Sequence, residues 1–322
     1  MEEMKLLVTG GAGFIGSNFV RKYINDSQYQ SITVLDSLTY AGNLENLAKV
    51  INSKKLKFIQ GDICDADVAT NATQGIEVII NFAAESHVDK SILNPNQFLQ
   101  TNVIGTQNLL QAAVKNQARR FIQISTDEVY GSIDEGSWSE DWPLMPNSPY
   151  SASKASADLL VLSYLKTYDL DVCITRCSNN YGPYQFPEKI IPLFITNLIQ
   201  NKKVPIYGEG YNIRDWIHVD DHCAGIEKTI RLGKSGEVYN FGGGNEITNL
   251  QLANKILDHF NLSSDKIEYV KDRKGHDFRY SVSCKKSNTE LDWVPQKNFA
   301  EGLTETIDWY KNNVKWWENL KN

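Results

Sequence analysis

Lys5-Leu6-Leu7-Val8-Thr9-Gly10-Gly11-Ala12-Gly13-Phe14-Ile15-Gly16 is the stretch on which the fold turns. The run 5–10 is apolar and short, as a strand buried on both faces must be, and glycine stops it. A helical pattern follows over 14–25. The glycines are spaced GxxGxxG, a variant of the dinucleotide-binding fingerprint. Gly10 permits the tight turn, Gly13 lets the backbone approach a pyrophosphate, and Gly16 lets the helix pack close to the strand. Phe14 and Ile15 open that helix, whose free N–H groups and positive dipole end suit phosphate. A carboxylate, Asp36, closes the second strand (31–36) twenty residues past Gly16. Such an acid accepts hydrogen bonds from ribose hydroxyls and repels a 2′-phosphate, so NAD is expected rather than NADP.

Outward from this turn, 56–62, 77–83 and 119–126 read as further buried strands, each rich in Val and Ile. A helical pattern over 98–117 separates the last two, with Phe98, Leu99, Val103, Leu109, Leu110, Ala113 and Val114 at helical spacing. Strand alternating with helix implies an α/β fold, a doubly wound parallel sheet of Rossmann type. Ligands bind such sheets at the carboxyl ends of the strands, where the strand order reverses. There Asp62 and Ile63 are placed beside an adenine, and Ala83 and Ala84 beneath the cofactor. Beyond about residue 178 prolines multiply and strands thin out. The expected division is a dinucleotide-binding domain at 1–178 and a smaller, mostly helical substrate lobe at 179–322. The runs 171–176 and 237–243 still read as strands that could join the first sheet.

Composition excludes several classes of function. The 322 residues are 41% hydrophobic and 22% charged with a formal charge of −6, which disfavours a nucleic-acid groove binder. No apolar run approaches the ~18 residues of a membrane span, and the acidic MEEMKLLVTGG start does not read as a signal peptide, so a cytoplasmic protein is expected. Five scattered cysteines without a CxxC pair read as small buried side chains. His218 and His222 stand four apart but lack a third ligand, so no metal is expected. His87 is read as a structural or rim histidine. Trp309, Trp316 and Trp317 on an amphipathic C-terminal pattern suit packing or subunit contact.

Two segments carry the chemistry. The fifth strand ends in Ser125-Thr126-Asp127-Glu128, and Tyr150 and Lys154 begin a helix at 151–167. Four residues apart, they share one helix face. An ammonium beside a phenol favours the phenolate, so Tyr150 is expected to take a hydroxyl proton while hydride leaves for NAD. Hydride transfer needs Tyr150, Lys154 and a hydroxyl such as that of Thr126, but no carboxyl pair. Asp127 and Glu128 add an acid and a base of different pKa, the equipment for removing water next to a carbonyl.

On these residues the chain resembles the extended short-chain dehydrogenase/reductases, and among them it is most similar to the dTDP-glucose 4,6-dehydratases. The resemblance runs through GGAGFIGSN (10–18), DSLTYAGNLENL (36–47), GDI (61–63), NFAAESHVD (81–89), TNVIGTQNLL (101–110), STDEVYG (125–131), YSASKASAD (150–158), RCSNNYGPYQFPEKIIP (176–192), PIYGEG (205–210), IRDWIHVDDH (213–222) and RKGHDFRY (273–280). The fingerprint and YxxxK belong to the superfamily; TDEVYG and NNYGPYQFPEK are specific to the dehydratases. The stretch between Gly131 and Pro149 is short where many relatives carry an insertion.

The resemblance implies a three-step cycle on a nucleotide sugar with a tightly bound, regenerated NAD. Tyr150, with Lys154 and Thr126, serves C4 oxidation; Glu128 takes the C5 proton while Asp127 protonates the departing C6 hydroxyl; hydride then returns to C6. It implies that Ser86, Thr126, Asn179, Glu188, Lys189, Tyr207, Arg214, Asn249, Arg273, His276 and Tyr280 hold the nucleotide sugar. Lys189, Arg214 and Arg279 would neutralise a diphosphate, and Tyr207 could stack on the base. It also implies a homodimer joined by a four-helix bundle of 98–117 and 151–167. The rival outcomes are a UDP-sugar 4-epimerase, a UDP-sugar 4,6-dehydratase, a UDP-glucuronate decarboxylase, or a dinucleotide sensor without catalysis. An epimerase has no use for Asp127 and Glu128, and sensors commonly lack the Tyr or Lys retained here.

Overall fold

The computed structural model describes residues 3–272 and 275–321. Twelve strands are formed among them: β1 (Met4–Thr9), β2 (Tyr29–Asp36), β3 (Leu56–Gln60), β4 (Val78–Asn81), β5 (Arg120–Thr126), β6 (Val172–Cys177), β7 (Asn179–Tyr181), β8 (Val204–Tyr207), β9 (Ile213–His218), β10 (Val238–Phe241), β11 (Glu246–Thr248) and β12 (Ile267–Val270). Seven make one sheet in the order β10-β6-β5-β4-β1-β2-β3, every pairing parallel. The order reverses between β1 and β4, which places the ligand crevice beyond their carboxyl ends.

Alternation along these strands assigns their side chains to two faces. Leu6, Val8, Ile32, Val34, Val78, Ile80 and Ile122 pack on one side with Phe19, Val20, Ile226 and Ile230. Leu7, Leu35, Ile79 and Phe121 pack on the other with Leu109, Leu110, Val161 and Tyr164. Period two on a sheet covered by helices on both sides explains why the strands read as unbroken apolar runs. The late run near 238 does join this sheet, beside β6.

The remaining strands form a three-stranded sheet, β11-β9-β7, and a β12-β8 pair. Helices Ile190–Ile199, Asn249–His259 and Phe299–Asn312 gather a third core around Phe194, Trp216, Leu252 and Trp317. Trp309 and Trp316 close around Tyr184 at ring distances of 4.5 and 5.7 Å, so both pack within the chain.

One expected helix takes a different form. The 98–117 pattern becomes a turn at Pro95–Phe98, a π-helical stretch at Leu99–Gly105 and an α-helix at Thr106–Lys115. Asn102 is the cause. Its amide accepts from the Glu85 N–H at 2.8 Å, and donates to the Glu85 carbonyl at 3.0 Å and to Ser153 Oγ at 2.8 Å. This long-range tie fixes one turn of the helix where a regular winding would not bring it. The short 131–149 segment is tied down as well. The Trp138 N–H donates to the Ser281 carbonyl, the Ser283 N–H donates to the Trp138 carbonyl, and the indole stacks on Tyr130 at 5.3 Å.

A buried ion pair braces the sheet below the site. Arg176 Nε lies 3.0 Å from Asp158 Oδ2, and Arg176 Nη1 donates to Tyr130 Oη at 2.9 Å. Asp158→Ala strands that guanidinium, and stability is expected to fall by about 3–5 kcal/mol. Urea unfolding checks this; a midpoint equal to wild type would contradict it.

Candidate active site

The glycine turn joins β1 to the helix Phe14–Tyr23, and Gly13 caps that helix with no side-chain partner for its first N–H groups. Gly10 holds φ +64, and a Cβ there would lie 2.7 Å from the Ala83 nitrogen. A Cβ on Gly16 would lie 2.5 Å from the Gly10 carbonyl oxygen. Only hydrogen fits at either place, so the backbone forms a shallow cradle at the switch point. Asp36 is buried beside it and accepts from the N–H groups of Ala12 at 2.9 Å and Leu38 at 2.9 Å. Its carboxylate therefore also ties the glycine turn to the end of β2. Burial raises its pKa, and the two N–H donors oppose that rise.

A cleft of about 670 Å³ runs from this cradle along the carboxyl ends of the strands. Gly10, Gly13, Phe14, Ile15, Gly16, Asp36, Asp62, Ile63, Ala83 and Ala84 line it, as do Ser86, Thr126, Asp127, Glu128, Tyr150, Lys154, Asn179, Glu188 and Lys189. A bare glycine turn, an N-terminal helix end and a buried acid at the close of β2 fit a dinucleotide, and these residues would hold NAD.

At the chemical end, Thr126 caps the short turn Asp127–Tyr130. It accepts from the Glu128 N–H at 3.3 Å and donates to Asp127 Oδ1 at 3.2 Å. Asp127 is buried, and that desolvation holds its pKa well above the ordinary carboxyl value, helped by the charges of Glu128 and Asp215. Both influences favour its acid form. The helix Pro149–Tyr168 starts sharply at a capping box between Ser148 and Ser151, with proline in its first turn, which fixes Tyr150 and Lys154 at its head.

The pair departs from the expected electrostatics. Burial first, then the Glu128 charge, push the Tyr150 phenol well above its usual pKa, while a hydrogen bond with Thr126 opposes them. Lys154 Nζ donates to the Ile124 carbonyl at 2.6 Å, and burial lowers its pKa. Helical spacing puts the amine on the phenol's face, and one of its N–H donors is spent on β5. In the cleft as it stands Tyr150 is a neutral phenol.

Among the described residues, Tyr207, Arg214, Asn249, His276 and Tyr280 fall outside the lining of this cleft. Arg214 is buried, donates to the Asp277 carbonyl at 2.9 Å and lies 4.3 Å from the Tyr280 ring centroid. Both feel the carboxyl pair: Arg214 pulls Asp127 down, and Glu128 pushes Tyr280 up. Tyr207 meets the His276 ring edge-on at 6.3 Å, and His276 Nδ1 is 2.7 Å from Asp272 Oδ1. Asn249 opens the helix Asn249–His259, its N–H on the Asn212 carbonyl. Arg279 does not fit the expected diphosphate role, because its guanidinium is forked onto Glu246 at 2.7 and 3.0 Å. Arg273 lies outside the described residues.

His87 caps the helix Val88–Leu93, accepting from the Lys90 N–H, and stands 3.6 Å from Glu188, a rim position. His218 and His222 have separate roles. His218 caps the helix Val219–Leu232, and His222, fully buried, sits 2.9 Å from Asn180 Oδ1. Among the described residues no group of three or more His, Cys, Asp and Glu could hold a metal ion. The cleft also takes in Tyr40, Glu85, Asn180 and Phe186, which sequence reasoning missed. Tyr40 stands four residues past Asp36 within the quoted DSLTYAGNLENL run, which was the available signal.

Burial lowers the His222 pKa to about 3 from an ordinary 6.5. The unfolded chain takes up a proton below pH 6.5 and the folded chain does not, so this group costs stability as pH falls from 6.5 toward 3. The cost grows by up to about 1.4 kcal/mol per pH unit. The buried acids with raised pKa act in the opposite sense, so the comparison must be differential. Between pH 7 and 5 the stability of wild type is expected to drop relative to His222→Gln in urea unfolding. A gap that stays constant with pH would contradict it.

The family model described as GDP-mannose 4,6 dehydratase matches residues 7–306. Over 322 residues the chain is 52% identical to the dTDP-glucose 4,6-dehydratase of Streptomyces niveus, covering 99% of this chain and 96% of that one. It is 53% identical to the dTDP-glucose 4,6-dehydratase of Streptomyces antibioticus, with 99% and 96% covered. Among solved structures, DesIV, the dTDP-glucose 4,6-dehydratase from Streptomyces venezuelae with NAD and TYD bound, superposes with a TM-score of 0.97. That match is 53% identical and covers 98% of this chain and 100% of that one. With half its residues shared along nearly its whole length, and the dinucleotide cradle and carboxyl pair in place, the chain belongs to the dTDP-glucose 4,6-dehydratase family of extended short-chain dehydrogenase/reductases.

Proposed function

We propose that the protein is an NAD-dependent hydro-lyase that converts dTDP-glucose to dTDP-4-keto-6-deoxyglucose and water, in deoxysugar biosynthesis such as that of dTDP-rhamnose. The observation that carries this reading is Asp127, a carboxyl at the end of β5 whose burial and neighbour Glu128 favour its acid form. Hydride transfer alone has no use for it. NAD, when bound, supplies a cationic ring that accepts hydride from C4 and returns it to C6. Tyr150, hydrogen-bonded with Thr126, takes the proton of the sugar 4-hydroxyl once positive charge stands beside it, since such charge favours the phenolate. Tyr150 acts as the phenolate, its own proton having left for solvent, and the Lys154 ammonium favours that state. The C4 ketone acidifies the C5 proton, which Glu128 removes, while Asp127 gives its proton to the leaving C6 hydroxyl; Glu128 gives a proton back to C5 as hydride reaches C6. Ser86, Asn179 and Lys189 reach the nucleotide sugar from the cleft wall, and Arg214 and Tyr280 bound it beyond the carboxyl pair.

We further propose a homodimer in the cytoplasm, with residues 1–178 serving mainly the cofactor and 179–322 the sugar nucleotide. Exposed Leu99, Ile104 and Leu159 on the two helices of the expected bundle support the dimer. No helix among the described residues is long and apolar enough to cross a membrane.

The test is to incubate purified protein with dTDP-glucose and, separately, UDP-glucose, without added NAD, and weigh the products. Loss of one water from dTDP-glucose supports the dehydratase and a retained cofactor together. An unchanged mass with an inverted C4 would favour an epimerase, and loss of CO2 from a UDP-glucuronate control a decarboxylase.

A further inference from the structure

At one end of the cleft Tyr40, Phe186 and Lys90, which the chemistry above does not use, meet Ser86, Glu188 and Lys189 of the expected sugar contacts. They come from three separate segments: the loop after β2, the loop and short helix Val88–Leu93 that follow β4, and the loop before the helix Ile190–Ile199. Lys90 Nζ stands 3.1 Å from Glu188 Oε2 and, at the same time, 3.5 Å from the centroid of the Tyr40 ring. Tyr40 meets Phe186 edge-on at 5.5 Å, and its hydroxyl is hydrogen-bonded to Glu188 and Ser86. Lys189 Nζ reaches back across the gap to the Ser86 carbonyl at 2.8 Å. Tyr40, Ser86, Phe186, Glu188 and Lys189 line the same cleft as the glycine cradle.

We propose that Lys90 and Tyr40, closed onto Glu188, form a clasp across the cleft that retains the dinucleotide between turnovers. The inference rests on the reading of the cleft as an NAD site and adds the residues that set the cofactor's residence time. The glycine cradle supplies affinity for a pyrophosphate, and Phe186, Glu188 and Lys189 of the second lobe complete the wall of the cleft. A ligand lying in the cradle and along the strand ends can leave past that wall only when the rims part. One ammonium holds both rims, through an ion pair on one side and an aromatic face on the other. Each such contact is individually weak at a partly exposed site, so the clasp opens and recloses, and it slows release without sealing the site. A cofactor that ends each cycle in its starting state gains from such retention, because exchange serves no step.

The test is an exchange measurement that needs no turnover. Protein loaded with NAD is transferred into excess isotopically labelled NAD, and the bound label is followed by mass spectrometry. Lys90→Met keeps the apolar stem and removes the charge; exchange is expected to quicken on the order of tenfold, the loss of one ion pair and one cation–π contact. Lys90→Arg keeps charge and stacks on Tyr40, and should restore slow exchange. Added salt should speed exchange in wild type and Lys90→Arg but not in Lys90→Met, because screening acts on the ion pair. Exchange in Lys90→Met within twofold of wild type, with the same salt response, overturns the clasp. Protein that takes up no NAD when it is supplied overturns the reading of the cleft itself, and the clasp with it.

Discussion

Tyr150→Phe is expected to lower product formation from dTDP-glucose by about 10²–10⁴-fold, the usual worth of a positioned general base. The first step should fail, so no reduced nicotinamide should build up when substrate is added. The substitution deletes one oxygen from a buried ring. The ring's edge-on contact with Phe98 at 6.3 Å and its place in the capped helix head remain. Loss of the hydroxyl also removes the hydrogen bond with Thr126 that moderates the raised pKa of the phenol. The fold should therefore persist, with a thermal midpoint near wild type. Prompt formation of reduced nicotinamide in this variant would show that another group takes the 4-hydroxyl proton.

Glu128→Gln should fail at a different point. C4 oxidation does not call on Glu128, so reduced nicotinamide is expected to appear on adding substrate and then persist. Loss of water, measured by mass, should fall by about 10²–10⁴-fold. The amide matches the carboxylate in shape but cannot accept the C5 proton at neutral pH. A second consequence follows from its charge. Glu128 helps to raise both Asp127 and Tyr150, so its neutralisation should ease both downward. The first step in Glu128→Gln should then tolerate lower pH than in wild type. Undiminished turnover would remove Glu128 from the elimination.

The sheet was legible in the sequence because its strands are buried on both faces and hence unbroken in apolar character. The cradle was legible because glycine alone fits where a Cβ would meet backbone at 2.7 or 2.5 Å. What escaped depends on partners distant in sequence. The π-helical stretch at Leu99–Gly105 follows from Asn102 meeting Glu85 and Ser153, which no local periodicity encodes. Arg279 was expected to meet a diphosphate, whereas its guanidinium pairs with Glu246 of β11, thirty-three residues away. The spacing of Tyr150 and Lys154 places both at the head of one helix, but it does not encode how deeply the phenol is buried. Burial is the largest influence on that pKa, and the amine also donates to the Ile124 carbonyl.

The placement of β10 beside β6 bears on how the chain is made. β6 is fully buried, and its outer edge is covered only when Val238–Phe241 has left the ribosome. Until then the nascent sheet presents a row of unpaired backbone groups on an apolar strand, the template on which chains join edge to edge. Synthesis at roughly 5–20 residues per second leaves that edge bare for several seconds. Premature termination in the helix Val219–Leu232 would therefore yield an association-prone product, although every residue of the glycine cradle and the carboxyl pair had already been translated.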